Sequence, residues 1–395
     1  MLNHRLIDPP HEPEKFIRAA IKFLQKYARN KKIFCALSGG VDSSCTYLLL
    51  KEAKVDTLPV FIDHGLMRII RGKEEREYLK KLFPELIIVD IREKFLPKIF
   101  GEGEAENKRK LFKNAYSDTI SSVIKEEKCD LLADGTILPD LEESFGVKIS
   151  DLKESMSLEE EMNLKRKNIQ GFVKSQHNVE IEYEVEATIQ PVASLTKYEI
   201  RKILEYLKMP QELVYRKAFP GPALSARIIG SVTNENLAFE KKVHDIVESN
   251  VDDYYIEKYS TPMIINEKGE QEPFQAFAAI SEDILNRKVT GIVNGKRTYD
   301  IPLSVKGNWD YSKLIGLASQ LKGYSRLLYE LEVDKKGVYD IIIRSVNSKD
   351  ARTATITNLP FELLEKLKIL LKEFPETKNI YFDITPKPPA TIEYV

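Results

Sequence analysis

The sequence predicts an α/β protein in which a doubly wound parallel-sheet domain is followed by a smaller α+β domain. Short apolar runs alternate with segments of helical periodicity through the first half of the chain, as in sheets whose parallel strands are joined by helices. A turn rich in glycine and hydroxyl residues follows the first apolar run. From about Ile228 onward this regular alternation stops, which places the second domain at residues 229–395.

Length and composition fit two or three globular domains. The chain has 395 residues, of which 43% are hydrophobic, and a formal net charge of −1. The near-neutral charge and the lack of a basic stretch interleaved with aromatic residues predict no nucleic-acid partner. No apolar stretch is long enough to cross a bilayer, and the first residues lack the apolar centre of a signal peptide. We therefore expect no membrane partner.

The three cysteines, Cys35, Cys45 and Cys129, occur in apolar surroundings and form no Cys-x-x-Cys pair. This usage is typical of reduced core thiols rather than of disulfides or metal ligands, and it predicts a cytoplasmic protein. None of the three lies in a Gly-x-Cys-x-Gly turn, so the sequence shows no glutaminase nucleophile of that kind.

The first domain is predicted to alternate helices with buried strands. A helix over residues 14–28 carries Phe16, Ile17, Ala20 and Leu24 at helical spacing. Strands are predicted from short apolar runs at 33–37, 57–62, 86–89 and 131–133. Further helices are predicted to begin at Thr46 and to cover 107–125 and 197–208. In a sheet of this kind, ligands bind at the carboxyl ends of the strands.

The stretch after the first strand reads Ser38-Gly39-Gly40-Val41-Asp42-Ser43-Ser44. Amide groups at a helix start lack partners inside the helix and, together with the helix dipole, attract anions. The two glycines let the backbone approach a phosphate closely, and the three serines add hydroxyl donors. Asp42 is a suitable ligand for the Mg²⁺ that accompanies nucleotide phosphates. The stretch does not end in Gly-Lys-Ser/Thr and is therefore not a Walker A loop.

The segment before the 197–208 helix is dense in charge. Residues 148–167 contain runs of acidic and basic side chains, which predict a solvated or mobile helix. Lys174 and His177 follow it. We expect a mobile lid at about 145–180, with these two residues near its end.

After the first domain, the sequence predicts a stiff turn and then mixed elements. The Pro-Gly-Pro turn at Phe219–Pro222 is expected to hold Arg227 in a fixed position. Helices are expected over 236–249, 275–287 and 360–374, strands over 339–344 and 380–384, and an inserted helical element from Lys306 to Leu331. Residues 387–395 contain a Pro-Pro pair and are expected to be ordered.

Several motifs together resemble known families. The Ser38–Ser44 stretch resembles the pyrophosphate loop of the PP-loop ATP pyrophosphatases, which cleave ATP between the α and β phosphates and adenylate a substrate oxygen. Five further motifs stand in the order found in GMP synthetase: Asp63–Arg68, Gly135–Asp140, Phe219–Pro222, Val346–Ala354 and Lys387–Glu393. Together they resemble that family over most of the chain.

The resemblance to GMP synthetase implies a division into functional domains. Residues 1–228 would form the ATP pyrophosphatase domain, with a charged lid insertion near 145–180. Residues 229–395 would form a dimerisation and substrate-binding domain, with an insertion near 302–338. The implied reaction converts XMP, ATP and ammonia into GMP, AMP and pyrophosphate with Mg²⁺. Because the family's glutaminase domain is not recognised in this sequence, ammonia is expected from a separate glutaminase subunit, and the chain is expected to form a homodimer.

The resemblance also implies which residues act. Asp42 and Ser43 in the loop are implied to be catalytic together with Lys174 and His177 in the lid, and Asp42 is the implied metal ligand. The implied nucleotide contacts are Ser38, Gly39, Gly40, Val41, Asp42, Ser43, Ser44, Asp63, Gly65, Gly135 and Thr136. The implied substrate-binding residues are Asp140, Arg227, Arg344, Lys387, Thr391 and Glu393.

Departures from the family pattern leave other functions open. The lid has Gln176 where the family has the first of two histidines, and Val179–Glu182 where the family has glycines. His64 stands where an asparagine commonly precedes the glycine. The alternatives are a related ligase that activates another purine-like or RNA carbonyl, and a regulatory dimeric subunit without catalysis. The intact loop with Asp42 favours an enzyme.

Overall fold

The computed structural model describes residues 12–137, 140, 183–265, 271–272, 274–320, 322–334, 336–348 and 353–395. The chain divides into two compact units that alternate along the sequence. The first unit comprises Met1–Ile62, Leu79–Asp90 and Asn114–Arg216, and the second comprises Asp63–Tyr78, Ile91–Lys113 and Lys217–Val395. The boundary near residue 228 between two functional domains stays a prediction.

The first part of the chain alternates helices and strands. Its helices are α1 (Pro13–Tyr27), α2 (Val41–Glu52), α3 (Glu75–Leu82), α4 (Arg92–Ile99), α5 (Ala105–Glu127), α6 (Lys197–Tyr206) and α7 (Gln211–Val214). Its strands are β1 (Ile33–Ala36), β2 (Thr57–Asp63), β3 (Ile69–Ile70), β4 (Lys73–Glu74), β5 (Ile87–Asp90), β6 (Leu131–Ala133) and β7 (Ala187–Ile189). The strands predicted here, and all the predicted helices except the start of the second, are confirmed to within a few residues.

Within the described residues, five strands form one sheet in the order β5-β2-β1-β6-β7. Strand β1 pairs in parallel with β2 and β6, and β6 pairs in parallel with β7. Ile33, Phe34 and Cys35 of the central strand are completely buried, as expected where a parallel sheet is covered on both faces. The predicted α/β class with a parallel sheet is confirmed.

Helix α2 begins at Val41, so the predicted start at Thr46 was wrong. Gly40 is its N-cap residue and has an extended backbone, with φ −68° and ψ 159°. The polar residues after Gly40 suggested a loop, but aspartate in a first helical turn is favoured by the helix dipole. Asp42, Ser43 and Ser44 therefore belong to the helix, and the loop itself is short.

The second part of the chain combines helices with a mixed sheet. A short 3₁₀ turn over Ala223–Ala226 precedes it. Its helices are α8 (Asn234–Tyr259), α9 (Tyr311–Ser319) and α10 (Phe361–Lys372). Its strands are β8 (Ile228–Ile229), β9 (Ile264–Ile265), β10 (Gln271–Glu272), β11 (Phe274–Ser281), β12 (Val289–Val293), β13 (Lys296–Asp300), β14 (Leu303–Val305), β15 (Leu327–Val333), β16 (Tyr339–Asn347), β17 (Thr355–Ile356) and β18 (Thr377–Asp383).

The larger sheet of this part runs β14-β15-β18-β16-β11-β8 in the described residues, with β17 beside β16. Strand β16 is parallel to β18 and antiparallel to β11. Helix α8 packs along β11, and α10 packs on β15 and β18. A mixed sheet with separate helices is an α+β arrangement, as predicted.

Two predictions for this part were wrong. Residues 275–287 form strand β11 and a 3₁₀ turn, Ile284–Asn286, rather than a helix. Strand β11 lies between β16 and β8, so it is apolar on both faces and its sequence lacks the alternation of a half-exposed strand. The predicted helical element at 306–331 is helical only over Tyr311–Ser319, and Leu327–Val333 is strand β15 of the sheet.

Other expectations for this part are confirmed. Helix α8 extends beyond the predicted 236–249, and Thr233 and Asn236 form a capping box at its start. The strands at 339–344 and 380–384 and the helix at 360–374 are present as β16, β18 and α10. The final segment is ordered, with Ala390, Tyr394 and Val395 buried.

The cysteines are buried free thiols, as predicted. In the part of the chain that the structure describes, no helix has the length and apolarity of a membrane span. The charged segment at 148–167 and the lid predicted at about 145–180 lie outside the described residues.

Candidate active site

The turn between β1 and α2 presents a helix start that favours anions. Gly39 has a φ of +85°, which a residue with a Cβ rarely adopts. No side chain at the N-cap accepts a hydrogen bond from the first-turn amide groups of α2. These amide groups and the dipole of a twelve-residue helix make the turn a favourable place for a phosphate.

Two serine hydroxyls border this turn. Ser38 Oγ and Ser43 Oγ lie 3.1 Å apart, and Ser43 Oγ donates to the Gly40 carbonyl at 3.2 Å. Ser38 is exposed, whereas Ser44 is completely buried and its amide donates to the Gly40 carbonyl. The structure therefore contradicts Ser44 as a phosphate contact. Val41 is also buried, so it can contribute only its backbone amide.

Gly135 packs against the first turn of α2. A Cβ added at Gly135 would lie 2.9 Å from the Ser43 nitrogen and 3.0 Å from the Asp42 carbonyl carbon. This approach excludes any side chain at Gly135. The next residue, Thr136, donates its amide to Asp134 Oδ1 at 3.0 Å, and Gln190 Nε2 lies 3.2 Å from Asp134 Oδ2. The end of β6 is thus braced against the phosphate turn.

Asp42 has one carboxylate oxygen without a partner. Its Oδ2 lies 3.4 Å from Lys197 Nζ, whereas Oδ1 is buried and has no hydrogen-bond partner among the described residues. Mg²⁺ is commonly held by one or two carboxylates together with substrate phosphates, and such an oxygen suits it. The described residues contain no group of three or more candidate metal ligands. A metal at Asp42 would take its other ligands from phosphate and water.

Two basic residues near Asp42 were not predicted as site residues. Lys197 opens α6, whose start is fixed by a capping box between Thr196 and Glu199. Burial lowers the pKa of Arg201, one turn later, and the charge of Asp42 opposes that shift. A basic residue at a helix start is disfavoured by the helix dipole, so the Thr-Lys sequence was the available signal.

In the second unit, the Asp63 carboxylate organises the loop after β2. Its Oδ1 accepts from the Gly65 amide at 3.0 Å, and its Oδ2 lies 3.2 Å from Arg76 Nη1. Gly65 has a φ of +83°, and a Cβ there would meet Leu96 Cδ1 at 2.9 Å. Burial lowers the pKa of the neighbouring His64 to about 3, so its ring is neutral. Asp63 is only 5% exposed, and its role toward ATP stays a prediction.

Arg227 is fixed in place, as predicted, and its donors are used inside the protein. Its Nε and Nη2 donate to the two oxygens of Glu393 at 3.2 and 3.1 Å. Its guanidinium carbon lies 4.0 Å from the centre of the Phe277 ring. Arg227 is 1% exposed, whereas the Glu393 side chain is 19% exposed. The geometry therefore favours Glu393 over Arg227 as the group that reaches a ligand.

Arg344 is a structural residue, so its prediction as a substrate contact was wrong. It is completely buried, and its Nη1 lies 2.7 Å from Asp383 Oδ2. Its nitrogens also donate to the carbonyls of Thr385, Thr391 and Ile392 at 3.1, 2.8 and 2.9 Å. No surface of Arg344 is left for a substrate, and its charge instead holds the C-terminal segment on the sheet.

The remaining predicted substrate residues differ in their surroundings. Thr391 Oγ1 is 2.9 Å from Arg326 Nη2 and 3.0 Å from the Thr290 carbonyl, so this hydroxyl is held inside the fold. Lys387 is partly exposed, and its backbone exchanges two hydrogen bonds with Ala354. Asp140 Oδ2 accepts from the Ile137 amide at 3.0 Å. Lys174 and His177 lie outside the described residues.

The parallel sheet and its phosphate-accepting helix start define a nucleotide-binding α/β protein. The profile described as the GMP synthase C terminal domain matches residues 333–394. The chain is 31% identical to the B-type subunit of GMP synthase (glutamine-hydrolyzing) from Saccharolobus islandicus over 396 residues, which is 97% of this chain and 99% of the relative. It is also 31% identical to the corresponding protein of Methanocaldococcus jannaschii over 391 residues, with the same two shares. The chain belongs to this family of GMP synthase subunits, which confirms the resemblance drawn from the motifs.

Among solved structures, one match is an NH3-dependent NAD synthetase from Campylobacter jejuni. It is 16% identical, and the match covers 53% of this chain and 80% of that protein with a TM-score of 0.35. The family assignment does not depend on this match.

Proposed function

We propose that this chain catalyses the ATP-dependent amination of XMP, giving GMP, AMP and pyrophosphate. The observation that carries the proposal is the α2 helix start, where a glycine turn, two serine hydroxyls and an unpaired Asp42 oxygen come together. Membership in the family of GMP synthase subunits supports it across nearly the whole chain.

The reaction needs an activated oxygen at C2 of the xanthine ring, because that oxygen is a poor leaving group. The oxygen attacks the α phosphorus of ATP, the bond to the β phosphate breaks, and pyrophosphate leaves. Ammonia then adds at C2, and AMP leaves with the former carbonyl oxygen. First-turn amides of α2 and the hydroxyls of Ser38 and Ser43 would donate to the departing pyrophosphate, as preorganised donors do for developing charge.

Asp42 would hold Mg²⁺ through its unpaired oxygen. When bound, the ion supplies positive charge that neutralises the pyrophosphate. Lys197, whose ammonium already faces Asp42, adds a second positive charge on this side of the turn. Gly135 lets the Asp134–Thr136 turn lie against α2, and Thr136 is a nucleotide contact in this proposal.

For the acceptor, we assign Glu393 and Lys387 of the C-terminal segment. The partly exposed Glu393 carboxylate accepts hydrogen bonds from purine N–H groups, and the Lys387 ammonium offers a point charge for the phosphate of XMP. Lys174 and His177 belong to a lid that would exclude water from the adenylated intermediate. Asp63, Gly65 and Asp140 complete the set by their resemblance to the family.

Ammonia is supplied by a separate glutaminase subunit in this proposal. The relatives are named as one lettered subunit of a glutamine-hydrolyzing enzyme, which supports a two-chain enzyme. We also propose a homodimer formed by the C-terminal domain. Three buried free thiols are compatible with the reducing cytoplasm, where we place the reaction.

The experiment incubates the purified chain with ATP, Mg²⁺, XMP and an ammonium salt, and measures GMP, AMP and pyrophosphate. We expect the three products in equal amounts, no product when IMP replaces XMP, and none when glutamine replaces ammonium. Asp42→Asn, which keeps the shape but removes the charge, should abolish turnover. ATP cleavage that does not depend on XMP, or full activity of Asp42→Asn, would contradict the proposal.

A further inference from the structure

A series of buried polar contacts in the second unit begins at Glu393. Arg227 pairs with both Glu393 oxygens, and its remaining nitrogen, Nη1, lies 3.1 Å from His244 Nδ1. On the other side of the imidazole ring, His244 Nε2 lies 2.8 Å from Glu248 Oε2. Arg227 and His244 are 1% and 0% exposed. Their contacts are therefore made in an environment that excludes water.

The series continues to the loop after β2. Arg68 Nη1 donates to both oxygens of Glu248 at 2.8 Å, and Arg68 Nε lies 3.6 Å from Glu75. The Phe219 ring lies near both guanidiniums, 4.9 Å from Arg68 Cζ and 5.1 Å from Arg227 Cζ. Each long basic side chain is thus fixed both by hydrogen bonds and by an aromatic ring.

The direction of these hydrogen bonds fixes the state of His244. A guanidinium can only donate, so Nδ1 of His244 accepts from Arg227, and Nε2 carries the hydrogen that is donated to Glu248. Burial and the nearby charge of Arg227 lower the pKa of His244 to about 4, in agreement with a neutral ring. A neutral ring joins the arginine to the carboxylate without adding a charge.

We propose that Arg227 and His244 are positioning residues that orient the Glu393 carboxylate toward the acceptor nucleotide, in the XMP-binding role given to Glu393 above. Glu393 is the exposed end of the Arg227 pair, at 19% of its side chain. The two-point contact with Arg227 leaves each carboxylate oxygen a further lone pair for an N–H or hydroxyl donor. Because the carboxylate is already oriented, less conformational entropy is lost when XMP binds.

The test compares three single variants in helix α8. His244→Leu removes both ring contacts, His244→Asn keeps one acceptor and one donor, and Val247→Ala removes completely buried methyl groups on the same helix without touching the series. We expect His244→Leu to raise the KM for XMP by about tenfold while the KM for ATP and kcat change by less than about threefold. His244→Asn should recover most of the XMP affinity, and Val247→Ala should leave it unchanged.

An unchanged KM for XMP in His244→Leu would overturn the proposal, as would an equal rise in Val247→Ala, since that would indicate a general loss of packing. If His244→Leu does not fold, Arg227→Lys replaces it, because lysine keeps the charge but cannot make the two-point contact. The nitrogen NMR signals of His244, assigned by their loss in His244→Asn, should show the neutral form with hydrogen on Nε2 between pH 6 and pH 8.

A hydrogen on Nδ1, or a charged ring, would contradict the contact series itself, whatever the substrate. Failure of the unmodified chain to form GMP would instead contradict the proposed function. The two failures are therefore distinguishable.

Discussion

Two acidic side chains, Asp42 and Glu240, bury oxygen atoms that have no hydrogen-bond partner among the described residues. The Asp42 side chain is 23% exposed beside the phosphate turn, where a cation can complete it. Glu240 is completely buried in α8, and burial raises its pKa well above the usual value although the charge of Arg227 opposes the shift. The same kind of group therefore serves a site in one place and weakens the fold in the other.

Glu240→Gln should stabilise the protein, increasingly so as the pH rises. Since the pKa of Glu240 is raised in the fold, the folded chain keeps a proton that the unfolded chain releases above its ordinary pKa of 4.5. Folding stability therefore falls as pH rises from there to the folded pKa. Removing the group should make the slope of the unfolding free energy less negative by about 1.4 kcal/mol per pH unit.

Urea unfolding of Glu240→Gln and the unmodified chain at pH 5, 6 and 7 measures this slope. Glu257→Gln, an exposed change on the same helix, is the matched control. Parallel pH dependences in Glu240→Gln and the unmodified chain would show that Glu240 stays ionised in the fold.

Single residues were predictable where a motif surrounds them and not where only tertiary contacts define them. Asp42 and Arg227 stand in recognisable motifs, and the structure gives Asp42 an unpaired oxygen and Arg227 a fixed position. Lys197 and His244 come to their partners through folding. Arg344 was misjudged because its motif does not reveal that Asp383 and three carbonyls occupy its donors.

At the scale of elements, the α2 turn depends on the close approach of the segment after β6. A methyl group at Gly135 would meet backbone atoms of Asp42 and Ser43 at 3.0 and 2.9 Å, which a side-chain rotation cannot relieve. Gly135→Ala should therefore displace the first turn of α2 and weaken ATP binding by about tenfold or more.

Calorimetric titration with a non-hydrolysable ATP analogue measures this effect. Gly221→Ala is the control, because a Cβ at Gly221 meets nothing within 4 Å. Equal analogue affinity in Gly135→Ala and the unmodified chain would mean that the approach of the two segments does not shape the ATP site.

Helix α5 holds the segment that carries Arg227. The completely buried Lys108 donates from Nζ to the carbonyls of Ile228 and Gly230 at 2.7 Å and of Ser225 at 3.3 Å. Lys108→Met should leave these buried acceptors unpaired and lower the unfolding free energy by about 2–4 kcal/mol. Lys110→Met, an exposed change on the same helix, should shift it by less than about 0.5 kcal/mol. Thermal and urea unfolding measure both, and equal stabilities would contradict the role of Lys108.

Elements were predictable where a strand or helix has a regular pattern of its own. The helix at 197–208 and the strand at 33–37 have clear periodicity or a short apolar run, and both are present. Strand β11 was misread as a helix because a central strand is apolar on both faces and contains three alanines, which also favour helices. The early start of α2 was missed because its first turn is polar.

At the scale of the whole molecule, the chain is two compact units that alternate along the sequence. The first holds the parallel sheet and the phosphate turn, and the second holds the mixed sheet and the ordered C-terminal segment. Periodicity predicted both fold types, but it could not reveal that residues 63–78 and 91–113 group with the later part of the chain, because only contacts made on folding decide this.

The central claim is that the C2 oxygen of XMP is adenylated at the first unit's phosphate turn before ammonia replaces it. The most direct test supplies XMP labelled with oxygen-18 at C2, together with ATP, Mg²⁺ and ammonium, and analyses the products by mass spectrometry. The account predicts that each AMP formed carries one labelled oxygen and that pyrophosphate carries none. Unlabelled AMP, with the label in water or pyrophosphate, would contradict it.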